Sequence, residues 1–312
     1  MNLNNEFWNN YYHSWDEWCE NWFKARGNDN TAIIEEQNNV FYNLKDSGNL
    51  DLNELPEPYL GKPHKGVDAV FLNLNPGMSA KNENSKFYSC KDTSDTSGWL
   101  IREFINCNYK YSDYLTEWSP LKPKLRGHDP VVCGVSWWQG NDPDSVGGRM
   151  NWVHRIYGNN NICPSRVFAL ELCPYHSKKW NLDLNDVQIK DFIINNVFIP
   201  AFTAVYENKL PYAIAVGRSI DLLLNDPYVQ NKLNFHHLAS WTEKRNNSSL
   251  EWPCNKDGNP INRTFNLYTF NLFGSNVNIL VTYAPGGNTT PANSFSQIED
   301  EIREYANKIT NS

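Results

Sequence analysis

The sequence predicts a three-layer α/β/α domain around a mostly parallel, four-stranded sheet, with a helical extension at its N-terminus. Three observations predict this fold: four short apolar runs, turn or polar residues directly after each run, and helical stretches between and after them. The strand candidates are Ala69–Leu74, Val167–Leu172, Ala213–Val216 and Asn278–Thr282. Alternation of strands with helices is typical of a parallel sheet that helices cover on both faces.

The N-terminal part of the chain is predicted to be helical. In residues 5–25, aromatic residues recur every three or four positions and so form one stripe. We expect this stripe to dock on the domain core; an aromatic binding face is the alternative. A second helix is expected over 31–45. The chain is therefore divided into a helical extension at 1–55, packed on the core, and an α/β domain at 56–312. The stripe consists of Trp8, Tyr11, Trp15, Trp18 and Trp22.

Further elements are expected in the second half of the chain. Helices are predicted over 185–207 and 294–309 because apolar side chains share one face there. The segment "NLYTFNLFGSNVNILVTYAP" predicts a hairpin that turns at Gly274-Ser275-Asn276 and adds an antiparallel strand to the sheet.

Two long insertions, near 80–147 and 226–263, interrupt the alternation of strands and helices. Long irregular stretches inside a compact domain are usually functional loops or mobile segments. The second insertion is locally basic, and we expect a solvated loop there. Its basic residues are His236, His237, Lys244 and Arg245.

The composition argues against several functional classes. The 312 residues carry a formal net charge of −7, which argues against a generally basic nucleic-acid surface but not against a local basic cleft. No apolar run approaches about 18 residues, so no membrane span is expected. No basic stretch precedes an apolar core at the N-terminus, as a signal peptide would require. The seven cysteines include no C-x-x-C pair, so a metal site or a disulfide framework is unsupported, and a reducing cytoplasm is expected.

Two asparagines close the first strand candidate. The segment "VDAVFLNLNPGMSA" places Asn73 and Asn75 directly before the tight turn at Pro76-Gly77. In an open α/β sheet, ligands bind just outside the carboxyl ends of the strands. We therefore expect these amides to face a ligand. The alternative for Asn75 is that it only caps the turn through backbone hydrogen bonds.

Taken in order, the four strand ends resemble the uracil-DNA glycosylase superfamily, in particular its mismatch-specific and thymine-DNA glycosylase branch. The strand ends read "LNLNPGMS", "ELCPYHS", "VGR" and "YAPGGN", and the lead-in "LPEPYLGKP" is also similar. The resemblance covers residues 55–310 as a set of short motifs. It implies a uracil-DNA glycosylase-like fold, with a base flipped out of DNA and removed by hydrolysis of its N-glycosidic bond. It implies no metal or organic cofactor.

The first motif then implies roles for several residues. Asn75 falls where family members hold the attacking water. Gly77 replaces the tyrosine that strict uracil enzymes hold against the pyrimidine C5 position, which leaves room for a 5-substituent. An aromatic residue that stacks on the flipped base is expected about a dozen residues later, although an ordinary core aromatic is equally compatible with the sequence. The candidates are Phe87 and Tyr88, with Trp137 or Trp138 as alternatives.

The second motif departs from the family. Glu171 lies at or near the position of an asparagine that reads the uracil edge, and a carboxylate instead pairs with an exocyclic amino group such as that of cytosine. Glu171 or His176 could also protonate the leaving cytosine. Tyr175 lies beside them and is expected to contact the base. The alternative is that a neighbouring Lys or Arg satisfies Glu171 as part of the structure.

The remaining motifs suggest contacts to the DNA backbone. The fourth lacks the catalytic histidine of uracil enzymes, so strong uracil excision is not expected. It retains Pro285 and small residues, whose backbone can approach a phosphate closely. Arg218 follows the third strand and could meet a phosphate, although a lone arginine is more often part of a surface ion pair. The expected DNA contacts are Ser79, Arg218, Gly286, Gly287 and Asn288.

These observations predict a monofunctional DNA glycosylase that removes a 5-substituted, cytosine-type pyrimidine and leaves an abasic site. The resemblance extends to antiphage glycosylases that act on modified phage DNA, so DNA is the expected partner, with no membrane and no obligate protein partner. The alternative is a non-catalytic nucleic-acid- or nucleotide-binding sensor on the same fold. The asparagine at the water position, the missing histidine and the acidic net charge all favour that alternative.

Overall fold

The computed structural model describes residues 3–26, 29–44, 50–52, 56, 58–61, 66–74, 148–163, 166–177, 182–243, 263–283 and 296–310. They form a mixed α/β fold with helices packed against a central sheet. The helices are α1 (Leu3–Arg26), α2 (Asn30–Gln37), α3 (Gly148–Tyr157), α4 (Val187–Ile193), α5 (Ile199–Asn208), α6 (Arg218–Leu224), α7 (Pro227–Leu233) and α8 (Ser296–Thr310). A 3-10 turn covers Tyr42–Leu44, and a π-helical turn at Ile194–Phe198 joins α4 to α5. None of the helices in these ranges is both long and apolar enough to cross a membrane.

The central sheet has seven strands in the order β2-β4-β3-β6-β9-β8-β7. The four predicted strands are β3, β4, β6 and β9, which lie side by side and run parallel. The prediction of a mixed α/β fold with a parallel core is confirmed, whereas the prediction of only four strands is wrong. Antiparallel strands extend the sheet on both sides: β2 outside β4, and β8 and β7 beyond β9. The bounds are β1 (Leu50–Asp51), β2 (Tyr59–Leu60), β3 (Ala69–Asn73), β4 (Val167–Glu171), β5 (His176–Ser177), β6 (Ala213–Val216), β7 (His236–Glu243), β8 (Arg263–Leu272) and β9 (Ser275–Tyr283).

The predicted hairpin is the pair β8–β9. The predicted turn at Gly274-Ser275-Asn276 is wrong in position: Leu272 lies opposite Ser275, so Phe273 and Gly274 form the turn, and Ser275 and Asn276 belong to β9. Their φ angles are 53° and 82°. Positive φ at both central residues is typical of the two-residue turns that match the twist of antiparallel strands.

Helix α1 docks on the sheet, as its aromatic stripe predicts. Trp8, Tyr11, Trp15 and Trp22 are buried, while Trp18 is partly buried and packs against the same core. The Trp22 indole also donates a hydrogen bond of 2.9 Å to the Leu52 carbonyl. These contacts give the N-terminal helix and the sheet one shared core, while the division of the chain at residue 55 stays a prediction.

Helix α2 is shorter than the predicted helix over 31–45. It ends at Gln37, and the Asn39 side chain accepts a hydrogen bond of 2.7 Å from the backbone N–H of Phe41. An asparagine that bonds the backbone two residues ahead favours a turn over continued helix. The chain therefore bends before the 3-10 turn.

The second insertion is partly regular structure rather than a solvated loop. Residues 227–233 form α7, and β7 pairs with β8 along its length. His236 and His237 are exposed on β7, while Trp241 packs at 5.6 Å against the Tyr305 ring of α8. The apolar contact explains why this segment joins the sheet. Residues 244–262 and the first insertion, 80–147, lie outside the described residues.

Asp226 ties α7 to α4 through a buried lysine. Its carboxylate accepts backbone hydrogen bonds from Tyr228 and Val229 at the start of α7, and one of 2.7 Å from the Lys190 ammonium. Burial raises the pKa of Asp226, but the bonds from Lys190 and the two amides outweigh it and leave that pKa below its ordinary value. The charge of Asp226 therefore stabilises the fold above the unfolded pKa of about 4, and this contribution is lost as the pH falls through the lower folded pKa.

We expect Asp226→Asn to lower the free energy of unfolding by about 1.5–3 kcal/mol at pH 7, because asparagine still caps a helix but loses the charged bond. The difference from the parent should shrink as the pH falls below about 4. Denaturant unfolding at pH 7 and pH 3 measures both values. Asp29→Asn is the matched control, since the exposed Asp29 caps α2 in the same way. An equal loss at both pH values would contradict the assigned role of the charge.

Candidate functional site

The carboxyl ends of β3 and β4 bring two polar side chains into contact. Asn73 lies opposite Glu171 in the parallel pair, and its Nδ2 donates a hydrogen bond of 3.0 Å to Glu171 Oε1. Asn73 is only 3% exposed and Glu171 is partly buried. The register that aligns the two strands therefore also aligns these two groups at the edge where ligands bind in open α/β sheets.

Backbone hydrogen bonds continue this alignment beyond the strands. The N–H of Leu172 donates to the carbonyl of Asn73, and the N–H of Cys173 donates to the carbonyl of Leu74, both at 3.0 Å. The Glu171 N–H donates to Pro58 at 2.9 Å on the other side of β4. The Asn73–Glu171 contact thus rests on a backbone that is fixed on both sides.

Arg149 supplies positive charge to the same part of the sheet. It lies in the first turn of α3, with its guanidinium carbon 5.5 Å from the centre of the Phe71 ring, two residues before Asn73 on β3. Burial lowers the pKa of Arg149, and the negative charge of Glu171 opposes that change. Arg149 is therefore a neighbouring basic residue of the kind that the structural alternative for Glu171 requires, and no local sequence pattern connects the two residues.

Arg218 lies at the carboxyl end of β6, as its position in the sequence predicts. It is the exposed first residue of α6 and follows Gly217, whose φ is 128°. A side chain at position 217 would lie 3.0 Å from a methyl carbon of Leu74, directly after β3. Glycine therefore allows the ends of β3 and β6 to approach each other, which keeps Arg218 close to the Asn73 strand.

Asp221 anchors α6, and with it Arg218, to the antiparallel part of the sheet. One carboxylate oxygen accepts hydrogen bonds from Asn266 at 2.8 Å and from Tyr268 at 2.7 Å, and the other accepts one from Tyr283 at 3.2 Å. Burial, with a further contribution from Asp221, raises the pKa of both tyrosines. No local sequence pattern contains this cluster, because its members come from distant segments of the chain.

The same cluster extends to the surface without forming a serine nucleophile. Ser240 Oγ lies 2.8 Å from His237 Nε2 and 2.7 Å from Asn266 Oδ1. The Asn266 amide must turn its NH2 group to the Asp221 carboxylate, so its oxygen faces Ser240. The Ser240 hydroxyl therefore donates to Asn266 and accepts from His237, and this arrangement gives His237 no role as a base toward Ser240.

Two residues of the second motif require correction. Tyr175 is completely buried, and its hydroxyl accepts hydrogen bonds from the Trp18 indole at 3.2 Å and from Asn39 Nδ2 at 2.9 Å. His176 is 3% exposed on β5, which pairs with β1 in a separate two-stranded sheet. The Tyr175 ring packs against Trp18 and Phe41 and its hydroxyl already has two donors, while His176 lies in a different sheet from Asn73 and Glu171. We therefore assign both side chains to packing and leave them out of the proposed site.

The other predicted site residues cannot be located in the same way. They lie outside the described ranges, so their roles stay predictions. They are Asn75, Gly77, Ser79, Phe87, Tyr88, Gly286, Gly287 and Asn288, together with the alternatives Trp137 and Trp138.

Comparison with protein-family models, with curated proteins and with solved structures found no match to this chain. Within the described ranges, no three His, Cys, Asp or Glu side chains are grouped so that they could hold a metal ion. The candidate site brings together the Asn73 amide, the Glu171 carboxylate and the charge of Arg149, and Arg218 lies exposed at the end of a nearby strand of the same sheet. Such groups can form hydrogen bonds and stabilise negative charge.

Proposed function

We propose that this protein is a monofunctional DNA glycosylase with a fold of the uracil-DNA glycosylase type. It would remove a 5-substituted, cytosine-type pyrimidine that is flipped out of the DNA. The proposed target is phage DNA that carries such bases, and the proposed role is antiviral defence. The observation that supports this most is the contact between Asn73 and Glu171 at the carboxyl ends of adjacent parallel strands. The segment Asn75-Pro76-Gly77, which carries the resemblance, begins only two residues after Asn73.

The proposed reaction needs an oriented water and a stabilised leaving base. The bond between C1′ of the sugar and N1 of the pyrimidine breaks, its electron pair leaves with the base, and the base takes up a proton from solvent. Water then adds to the oxocarbenium-like C1′ and loses a proton to solvent. Asn75 is the residue proposed to hold that water. An amide orients water but does not take its proton, so slower turnover is expected than with an aspartate.

Glu171 is proposed to face the base edge, with Arg149 behind it. The nearby positive charge favours the ionised carboxylate, which accepts hydrogen bonds and attracts an amino group. This charge state makes acceptance from a cytosine-type base a better supported role for Glu171 than donation of a proton to it.

DNA is proposed to approach the edge that presents Arg218. The net charge of −7 means that any attraction to phosphates is local, and the binding should therefore weaken steeply as salt increases. Arg218 is exposed, and its charge acts on Tyr283 at the end of β9. The proposed glycine-rich phosphate contact at 286–288 begins only three residues after Tyr283.

The test is incubation with duplex and single-stranded DNAs that each contain one defined base, followed by alkali to break the strand at abasic sites. The panel includes cytosine, uracil and their 5-substituted forms, as well as phage DNA with modified cytosine. Alkali-dependent cleavage at a cytosine-type base is the expected result. Salt-sensitive DNA binding without any cleavage would instead favour the non-catalytic sensor, and binding of free nucleotides alone would point to a nucleotide-sized ligand.

A further inference from the structure

We infer that Asn73 shares the choice of base with Glu171, and that Glu171 also positions Asn73 by fixing the orientation of its amide. This inference rests on the proposed function and adds to it a second residue that distinguishes an amino-bearing base from a carbonyl-bearing one.

The orientation of Asn73 follows from the chemistry of its partner. An ionised carboxylate accepts hydrogen bonds and donates none, so the group that lies 3.0 Å from Glu171 Oε1 must be the NH2 group of Asn73. The amide oxygen, Oδ1, consequently points away from Glu171. A rotation of the amide by 180° would bring two oxygens together and is therefore strongly disfavoured.

The amide oxygen of Asn73 is a buried hydrogen-bond acceptor. It is inaccessible to solvent, and among the described residues it has no hydrogen-bond partner. A buried acceptor without a partner costs free energy, so such an atom in a folded protein requires an explanation. Its position at the carboxyl end of a central parallel strand is where a ligand is expected to supply the missing donor.

The acceptor favours one class of pyrimidine. Cytosine-type bases carry an amino group at position 4, which donates hydrogen bonds, whereas uracil-type bases carry an oxygen there, which only accepts them. The Asn73 oxygen would pair with the amino group and repel the oxygen. The nearby carboxylate of Glu171 adds to this preference because it also accepts hydrogen bonds.

Removal of the charge at position 171 should allow the Asn73 amide to rotate by 180°. In Glu171→Gln, the new amide can present either its oxygen or its NH2 group to Asn73. The Asn73 amide can then turn so that its own NH2 group faces the base, and this arrangement suits an oxygen at position 4. We therefore expect Glu171→Gln to shift the base preference from cytosine-type toward uracil-type bases.

The experiment uses two DNAs that differ only at position 4 of one base, 5-hydroxymethylcytosine and 5-hydroxymethyluracil. Both kcat/KM and equilibrium binding are measured for the full-length parent and for Glu171→Gln. We expect the parent to prefer the cytosine form by roughly tenfold or more, and Glu171→Gln to reduce that ratio by at least about tenfold. Asp68→Asn is the matched control, because it removes one carboxylate charge from an exposed pair with Arg166 at the opposite end of β3.

A second variant covers the case in which Glu171→Gln does not fold. Asn73→Leu removes the amide and keeps the same number and branching of side-chain heavy atoms. We expect it to bring the ratio of kcat/KM for the two bases close to one. The inference would be overturned if either variant folds and keeps the parent's ratio of kcat/KM for the cytosine form over the uracil form. Equal losses on both bases would overturn it as well, since they indicate a structural role only.

The proposed function and this inference can fail separately. If the parent cleaves neither of these DNAs nor any other DNA of the panel, the glycosylase proposal fails, and the ratio of the two binding affinities still tests Asn73. If the parent cleaves both DNAs equally well, the glycosylase proposal stands and the inference is wrong. If the parent neither cleaves nor binds either DNA, both are wrong.

Discussion

Replacement of Trp8 by alanine is expected to lower the free energy of unfolding by about 3–5 kcal/mol. Trp8 is 2% exposed and packs edge-on against Phe168 of β4, with ring centres 6.0 Å apart. Its indole also donates a hydrogen bond of 2.8 Å to Glu207 of α5. Burial raises the pKa of Glu207, and this bond opposes that change, so the variant would leave a partly buried carboxyl without its indole donor.

Denaturant unfolding followed by circular dichroism measures the loss. Trp8→Phe is the control, because it keeps most of the ring but removes the indole donor, and about 1–3 kcal/mol is expected there. If Trp8→Ala unfolds at the same denaturant concentration as the parent, the N-terminal helix does not stabilise the sheet, and the shared core described above is wrong.

Replacement of Asn75 by alanine is expected to reduce the turnover of a susceptible DNA by roughly 100-fold while binding changes little. A group that positions water acts mainly in the transition state, so its loss affects kcat more than affinity. Single-turnover cleavage and equilibrium binding on the same DNA separate the two effects.

Asn75→Asp is the informative companion, because a carboxylate holds the water and can also take its proton. It should retain turnover or exceed that of the parent. If the Asn75→Ala protein cleaves as fast as the parent, Asn75 does not position the water. The alternative, that Asn75 only caps its turn, would then hold.

Local patterns predicted the parallel core because each of its strands is a short apolar run that ends in turn residues. They missed β2, whose two residues lie in a proline-containing loop, and β7, where histidines and a serine interrupt the apolar pattern. Both strands join the sheet through tertiary contacts, such as that of Trp241 with Tyr305, which no local pattern contains.

The candidate site was predictable only at the strand ends themselves. Asn73 and Glu171 could be placed at one edge because the ends of parallel strands meet there. Their direct contact depends on a register of strands that lie 98 residues apart in the chain. Arg149 comes from a helix in another part of the sequence, and only the fold brings its charge to Glu171.

The second motif illustrates the opposite error. Tyr175 and His176 follow directly after the strand end, so proximity in sequence suggested proximity to the base. The chain instead turns into the core, where the Tyr175 hydroxyl meets Trp18 and Asn39. Burial of an aromatic ring by a separate helix cannot be inferred from the motif that contains it.

Detection of a released free base decides whether this protein breaks the bond between a base and its sugar. The purified protein is incubated with DNA that contains 5-hydroxymethylcytosine, and the low-molecular-weight products are analysed by mass spectrometry beside the Asn75→Ala protein. We expect one free base for each alkali-sensitive site, with far less from the variant. Release of nucleosides or nucleotides, or DNA binding with no free base from any DNA in the panel, would show that the protein is not a DNA glycosylase.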